Sequence, residues 1–194
     1  DADALRRQGE EIAAANEELA PFRVLRGAEC DILADGSLDL PDDVLAELDW
    51  LQVSVHAGQR TPRRELTARV LEAIRHPAAR CLSHPKGRII GRRPENELDL
   101  DAVWDACRAE GVAVEVNGLP DRLDLRDAHV RAAVEGGVAV VVSTDAHSTR
   151  GLGNMVLAVG TARRGGATAG AILNTRSLAE VLGFRAAAGQ KAKR

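Results

Sequence analysis

Five short apolar runs, each followed by a stretch with helical spacing, constrain this chain more than any other feature. They cover residues 22–30, 48–55, 80–83, 112–116 and 138–142, and recur about every 25–30 residues. The last is a continuous, largely β-branched run, the mark of a strand buried on both faces. Between the runs, Leu66, Val70 and Ile74 share one helical face over 62–75. Leu100, Val103, Trp104 and Cys107 share another, closed by Gly111. Further helices are predicted over 1–19, from Pro41, over 124–135 and over 168–182. Strands alternating with helices predict an α/β fold, built on a mainly parallel sheet or a β/α barrel.

Composition narrows the function classes. With 194 residues, 45% apolar and 28% charged, the chain suits one globular domain rather than a disordered segment. A net charge of −3 argues against bulk electrostatic capture of nucleic acid. Aromatics are 2%, with no Tyr, so stacking platforms for bases are not expected. No apolar run approaches the roughly 18 residues of a membrane span, so no membrane partner is expected. Residues 1–11 are charged, so no signal peptide is expected there. The start at Asp1 rather than Met suggests a fragment or processed product. Cys30, Cys81 and Cys107 are widely spaced and read as buried free thiols of a cytoplasmic protein.

The chemistry gathers where the apolar runs end. Glu29, His56, His84 and Asp145 each fall at or just past such an end, and His147 follows two residues later. In a parallel β/α barrel these ends share one face, and that face holds the active site. A Glu, Asp and three His form a ligand set suited to Zn²⁺, Mn²⁺ or Fe²⁺. Lys86, Arg88, Arg92 and Arg93 follow His84 in a Gly-rich loop and are candidates to meet substrate phosphates. Arg122 and Asn117, past another strand end, are candidates to hold substrate or water. Glu115 faces the same side as Asn117 and, if buried, needs a partner such as an Arg. His76, at a helix end, and His129, inside a polar helix, read as structural. "GLGN" at 151–154 is no dinucleotide fingerprint, and no P-loop or nucleophile elbow is present.

The segments "GAECDILADGSLDLPDDVLAELDW", "VSVH", "SHPKGRIIGRR", "VEVNGLPDRLDL", "STDAHST" and "VGTARRGG" resemble, in order, the PHP (polymerase and histidinol phosphatase) domain. The likeness is greatest to the PHP domain at the C-terminus of bacterial family X DNA polymerases. It assigns residues 1–182 to one such domain and leaves 183–194 as a basic tail. The resemblance implies a distorted β/α barrel with a divalent metal cluster. It implies phosphoester hydrolysis by a metal-bound hydroxide, as a 3′–5′ exonuclease or 3′-end phosphatase with DNA 3′ ends among its substrates. Glu29 then matches a carboxylate bridging two metals, His56 and His84 the other ligands of one of them. Asp145 matches a ligand of the second bridged metal and His147 of a third. The family's HxH and Asp-His motifs have no counterpart here, so the resemblance implies a barrel incomplete at its N-terminus and weak or absent activity. A histidinol-phosphate phosphatase and a non-catalytic remnant are the alternatives.

Overall fold

A computed structural model of the chain describes residues 1–185. The first helix, α1 (Ala2–Leu19), is capped by Asp1, whose carboxylate accepts the Ala4 N–H at 2.8 Å. The chain then turns back, and the Asn16 side chain grips Val24 by both its N–H and its C=O, at 2.7 and 2.9 Å. That amide takes the backbone groups a ladder would use. Strand β1 (Gly27–Asp31) therefore starts later than the expected 22.

Helix α2 (Asp42–Leu45) and helix α3 (Arg63–Arg75) each follow a proline, at 41 and 62, as the sequence suggests. Strands β2 (Trp50–Ser54) and β3 (Cys81–Leu82) flank α3. Helix α4 (Leu100–Glu110) ends at Gly111, whose φ of 68° is left-handed and costs a glycine little. Strand β4 (Ala113–Asn117) leads to α5 (Asp127–Glu135) and strand β5 (Val140–Ser143). Helix α5 begins three residues later than expected, because the Asp124 carbonyl accepts the Asn117 N–H across the loop.

Two departures follow β5. Helix α6 (Met155–Arg164) lies where no helix was expected, since Val156 and Val159 face solvent and blur the apolar spacing. The single helix expected over 168–182 is instead two 3₁₀ turns, Ala169–Ala171 and Leu173–Thr175, then a short α7 (Leu178–Leu182). Ser177 and Glu180 form a capping box that restarts the helix there. The expected tail lies, from residue 186 on, outside the described residues. Arg185, within them, donates to the Ala79 carbonyl at 2.6 Å.

The five strands among the described residues form one parallel sheet in the order β1-β2-β3-β4-β5. Each strand lies beside its predecessor, as in a barrel and unlike a doubly wound sheet, whose order reverses. The fold is therefore α/β, compatible with a barrel-like arrangement. One sheet face carries Cys30, Val53, Leu82, Val114 and Val142 against Leu66, Val70 and Ile74 of α3, Val103 and Trp104 of α4, and Ala158 of α6. Each fully buried aliphatic there contributes about 1.5–3 kcal/mol. The other face has a smaller apolar cluster of Cys81, Ala113, Val141 and Leu173. Register places Glu29 beside Gln52 and Glu115 beside Val141, so polar side chains share this second face.

Arg69 of α3 is buried and donates to the carbonyls of Ile32, Leu33 and Ala57. It thus ties together the loops leaving β1 and β2. No helix among the described residues is long and apolar enough to cross a membrane. Cys30, Cys81 and Cys107 are free and buried; burial pushes the Cys107 thiol up to about 12.

Candidate metal centre

Glu29 is the third residue of β1, while His56 and His84 stand two residues beyond the ends of β2 and β3. Because the strands are parallel neighbours, these positions share one rim. Glu29 Oε1 lies 2.7 Å from His84 Nε2 and 3.5 Å from His56 Nε2. One donor atom from each of the three lies within 4.8 Å of the others. The two imidazoles are tilted by 52° with centroids 5.4 Å apart, so their nitrogens approach the carboxylate from different directions.

His84 is the most confined of the three. Its side chain is 2% exposed, its φ is 27°, and its backbone N–H donates to Glu115 Oε2 at 2.7 Å. Neither of its ring nitrogens has a well-aligned hydrogen bond among the described residues. A buried imidazole held against a carboxylate, with a second imidazole beside it, is a donor set that suits a borderline divalent cation. The residues fit such an ion, with Glu29, His56 and His84 as its donors.

Electrostatics agree with that fit. Burial pushes the Glu29 carboxyl up, but close contact with His84 and the charges of His84 and His56 outweigh it, lowering it to about 2. Burial pushes His84 down, but contact with Glu29 and the charges of Glu115 and Glu29 outweigh it and raise it.

Across the same cavity, of about 310 Å³, stand Glu115, Ser143 and Asp145. Asp145, two residues past β5 with φ 50°, accepts from Asn117 Nδ2 at 3.1 Å and faces Arg122 Nε at 3.3 Å. His147 Nδ1 lies 3.7 Å from Asp145 Oδ1, with the ring exposed. Asp145 thus gathers Asn117, Arg122 and His147 into a second polar group, of which Asp145 lines the cavity.

Lys86 and Arg88 do not line this cavity. Lys86 is buried and its Nζ donates to the Leu98 carbonyl at 3.3 Å, while burial lowers its pKa. Arg88 Nε donates to the Arg122 carbonyl at 2.7 Å, and Arg93 Nε to that of Gly87 at 2.6 Å. The loop doubles back through an Ile89–Arg93 bridge around Gly91, turning these cations inward and leaving Arg92 exposed. His76 bonds Asp42 at 3.1 Å, and His129 sits 3.8 Å from Glu95. Glu115 is 1% exposed, and its contacts differ from the expected arginine. It accepts instead from the His84 N–H, the Ser143 hydroxyl and the Asn117 amide.

Asp31 and Ser54 escaped the sequence reading. Asp31 Oδ1 is hydrogen-bonded to His56 Nδ1, and Ser54 Oγ lies 3.3 Å from the same nitrogen. The available signal was spacing: Asp31 is two residues after Glu29 on one strand, so both share a face.

Asp124 offers a test of the electrostatics around His84. It is fully buried, and burial pushes its carboxyl up to about 6 against the opposing charge of His84. A carboxyl raised on folding has no effect on stability below its ordinary value of 3.8, then weakens the fold progressively as pH rises to about 6. Asp124→Asn keeps an oxygen for the Lys86 N–H. With chelator present, it is expected to exceed the parent's stability by about 2–3 kcal/mol above pH 6 and match it below pH 4. Urea denaturation across pH reads this; a gap that does not change with pH would contradict it.

No family model matches the chain. It is 42% identical over 183 residues to the DNA polymerase/3′-5′ exonuclease PolX of Bacillus subtilis, covering 94% of this chain and 32% of that protein. A probable phosphatase of a Thermoanaerobacter species is 26% identical over 169 residues, 82% of this chain and 66% of its own length. A probable phosphatase of Clostridium acetobutylicum is 30% identical over 140 residues, 68% of this chain and 55% of its own. The chain thus spans about a third of the polymerase relative and just under two thirds, or less, of these phosphatases. It is similar, over most of its residues, to part of a protein named for polymerase and exonuclease activity, and less closely to proteins named as phosphatases.

Proposed function

We propose that the chain forms a metal-dependent phosphoesterase unit of PHP type, hydrolysing phosphoesters of DNA 3′ ends as an exonuclease or end-processing phosphatase. The observation that carries this reading is the convergence of Glu29, His56 and His84 donor atoms at the strand ends. The activities for which the relatives are named support the substrate class. Mn²⁺, Zn²⁺ or Fe²⁺, when bound, supplies Lewis acidity toward a phosphoryl oxygen and lowers the pKa of water to about 7. Asp145 offers a further ligand in the same cavity, with His147 beside it. Arg122, held by Asp145, would meet a phosphate bound beside that carboxylate, and Asn117 orients Asp145. Lys86 and Arg88 brace the loops after β3 and β4, which carry His84 and Arg122 respectively.

A substrate panel tests the reading. Calorimetry should show the chain binding Mn²⁺, and phosphate or nucleotide release should require that ion and stop with chelator. The panel compares p-nitrophenyl phosphate, histidinol phosphate, 3′-phosphorylated DNA and single-stranded DNA. Preference for the DNA substrates supports the reading. Preference for histidinol phosphate replaces its substrate class, and a metal-bound chain releasing nothing from any of them defeats it.

A further inference from the structure

We propose that Asp31 is a positioning residue for the metal centre: its carboxylate accepts the Nδ1–H of His56 and thereby leaves Nε2 as the bare nitrogen turned toward Glu29. The proposal rests on the metal-centre reading above and adds a residue to it. Strand pairing sets Asp31 opposite Ser54, and His56 is two residues beyond Ser54. The ring therefore reaches back over the end of β1, where Asp31 Oδ1 meets Nδ1. Its far nitrogen, Nε2, then lies 3.5 Å from Glu29 Oε1. Asp31 is not itself one of the three converging donors.

Which ring nitrogen of a histidine stays free is decided by the hydrogen bond made by the other. A carboxylate on Nδ1 fixes both tautomer and ring orientation, and strengthens Nε2 as a ligand. His84 contrasts with this. Its Nδ1 has no partner among the described residues, and it is held through its backbone N–H by Glu115 instead. The two imidazoles are thus fixed by different means, one by a ring partner and one by burial. His56, at 43% side-chain exposure, is the one that burial alone does not hold.

Nitrogen-15 NMR of the histidine-labelled chain, with chelator present, reads the tautomer directly. The parent is expected to carry its His56 proton on Nδ1, Asp31→Ala to move it toward Nε2, and Asp31→Asn, whose amide oxygen still accepts, to keep most of the parental form. His84 should not change in any of them. Zn²⁺ affinity by calorimetry should fall ten- to a hundredfold in Asp31→Ala, less in Asp31→Asn, and no further when Asp31→Ala is added to His56→Ala. Asp31→Ser, too short to reach the ring, gives the same readouts should the alanine variant not fold. An unchanged His56 tautomer in the shortened variants overturns the proposal, as does an undiminished loss of affinity in the His56→Ala background. If the parent binds no Zn²⁺, the metal reading fails and the tautomer alone decides this one.

Discussion

Glu29→Gln is expected to leave the chain folded while removing its hold on a divalent cation. Among the described residues, the carboxylate is the one negative donor within reach of both imidazoles, at 2.7 Å from His84 and 3.5 Å from His56. Glutamine keeps the shape but turns the charge into a neutral amide, a weak ligand for a borderline ion. Affinity for Mn²⁺ should fall by more than about a hundredfold, the usual limit for losing an outer partner rather than a ligand. Phosphoester turnover should fall by on the order of a thousandfold, since the ion's several kcal/mol of charge stabilisation are lost with it. Folding is a separate matter. A carboxyl lowered to about 2 contributes stability that is present above its ordinary 4.5 and lost as pH falls through 2. Glu29 is 32% exposed and solvent screens its pairing, so the substitution should cost only about 1 kcal/mol at neutral pH. Calorimetric titration with Mn²⁺ together with urea denaturation separates the two effects. Parental Mn²⁺ affinity in a folded Glu29→Gln chain would remove this residue from the centre.

Glu115→Ala is expected to damage the fold itself. Three donors end on this buried carboxylate: the His84 N–H, the Ser143 hydroxyl and the Asn117 amide. Alanine strands them in the interior. The hydroxyl can turn elsewhere and Asn117 still reaches Asp145, but the buried His84 N–H loses its acceptor. Unpaired buried donors cost about 1–3 kcal/mol each, so a loss of about 3 kcal/mol or more is expected. That is a large share of the roughly 5–15 kcal/mol that holds a domain together. It also releases the backbone of His84 from its φ of 27°, a conformation that a side-chain-bearing residue adopts only when its surroundings impose it. Cation affinity should therefore drop along with stability. Glu115→Gln is the control. Its oxygen can serve the His84 N–H and its amide can donate to a turned Ser143 hydroxyl, so it should lose less than about 1.5 kcal/mol. Equal stability of the alanine and glutamine variants in urea would refute the network's role.

The sequence disclosed most where one residue decides one local geometry. Pro41 and Pro62 stand at helix starts, Gly111 closes α4, and the run before Thr144 forms a strand buried on both faces. Glu29, His56 and His84 were legible as a set because each stands at or near the end of a strand, and parallel strands align their ends. What stayed hidden depends on where loops travel. Lys86 and Arg88 look like phosphate contacts in a string of letters, yet their side chains donate to the carbonyls of Leu98 and Arg122. Helix α6 stayed hidden because its outward valines break the pattern that burial normally writes. Glu115 could be recognised as needing partners, but a backbone N–H and a hydroxyl serve as well as a guanidinium, and composition cannot distinguish them.

A strand order that follows the chain also bears on how the molecule forms. Among the described strands, every pairing closes a loop of comparable length, and none waits for remote ends to meet. Emerging from a ribosome, the chain can add one unit at a time to the edge of what is already built. Glu29 and His56 become neighbours while β4 is still to be synthesised, so the nascent polypeptide carries two of the three converging donors before its hydrophobic interior is complete.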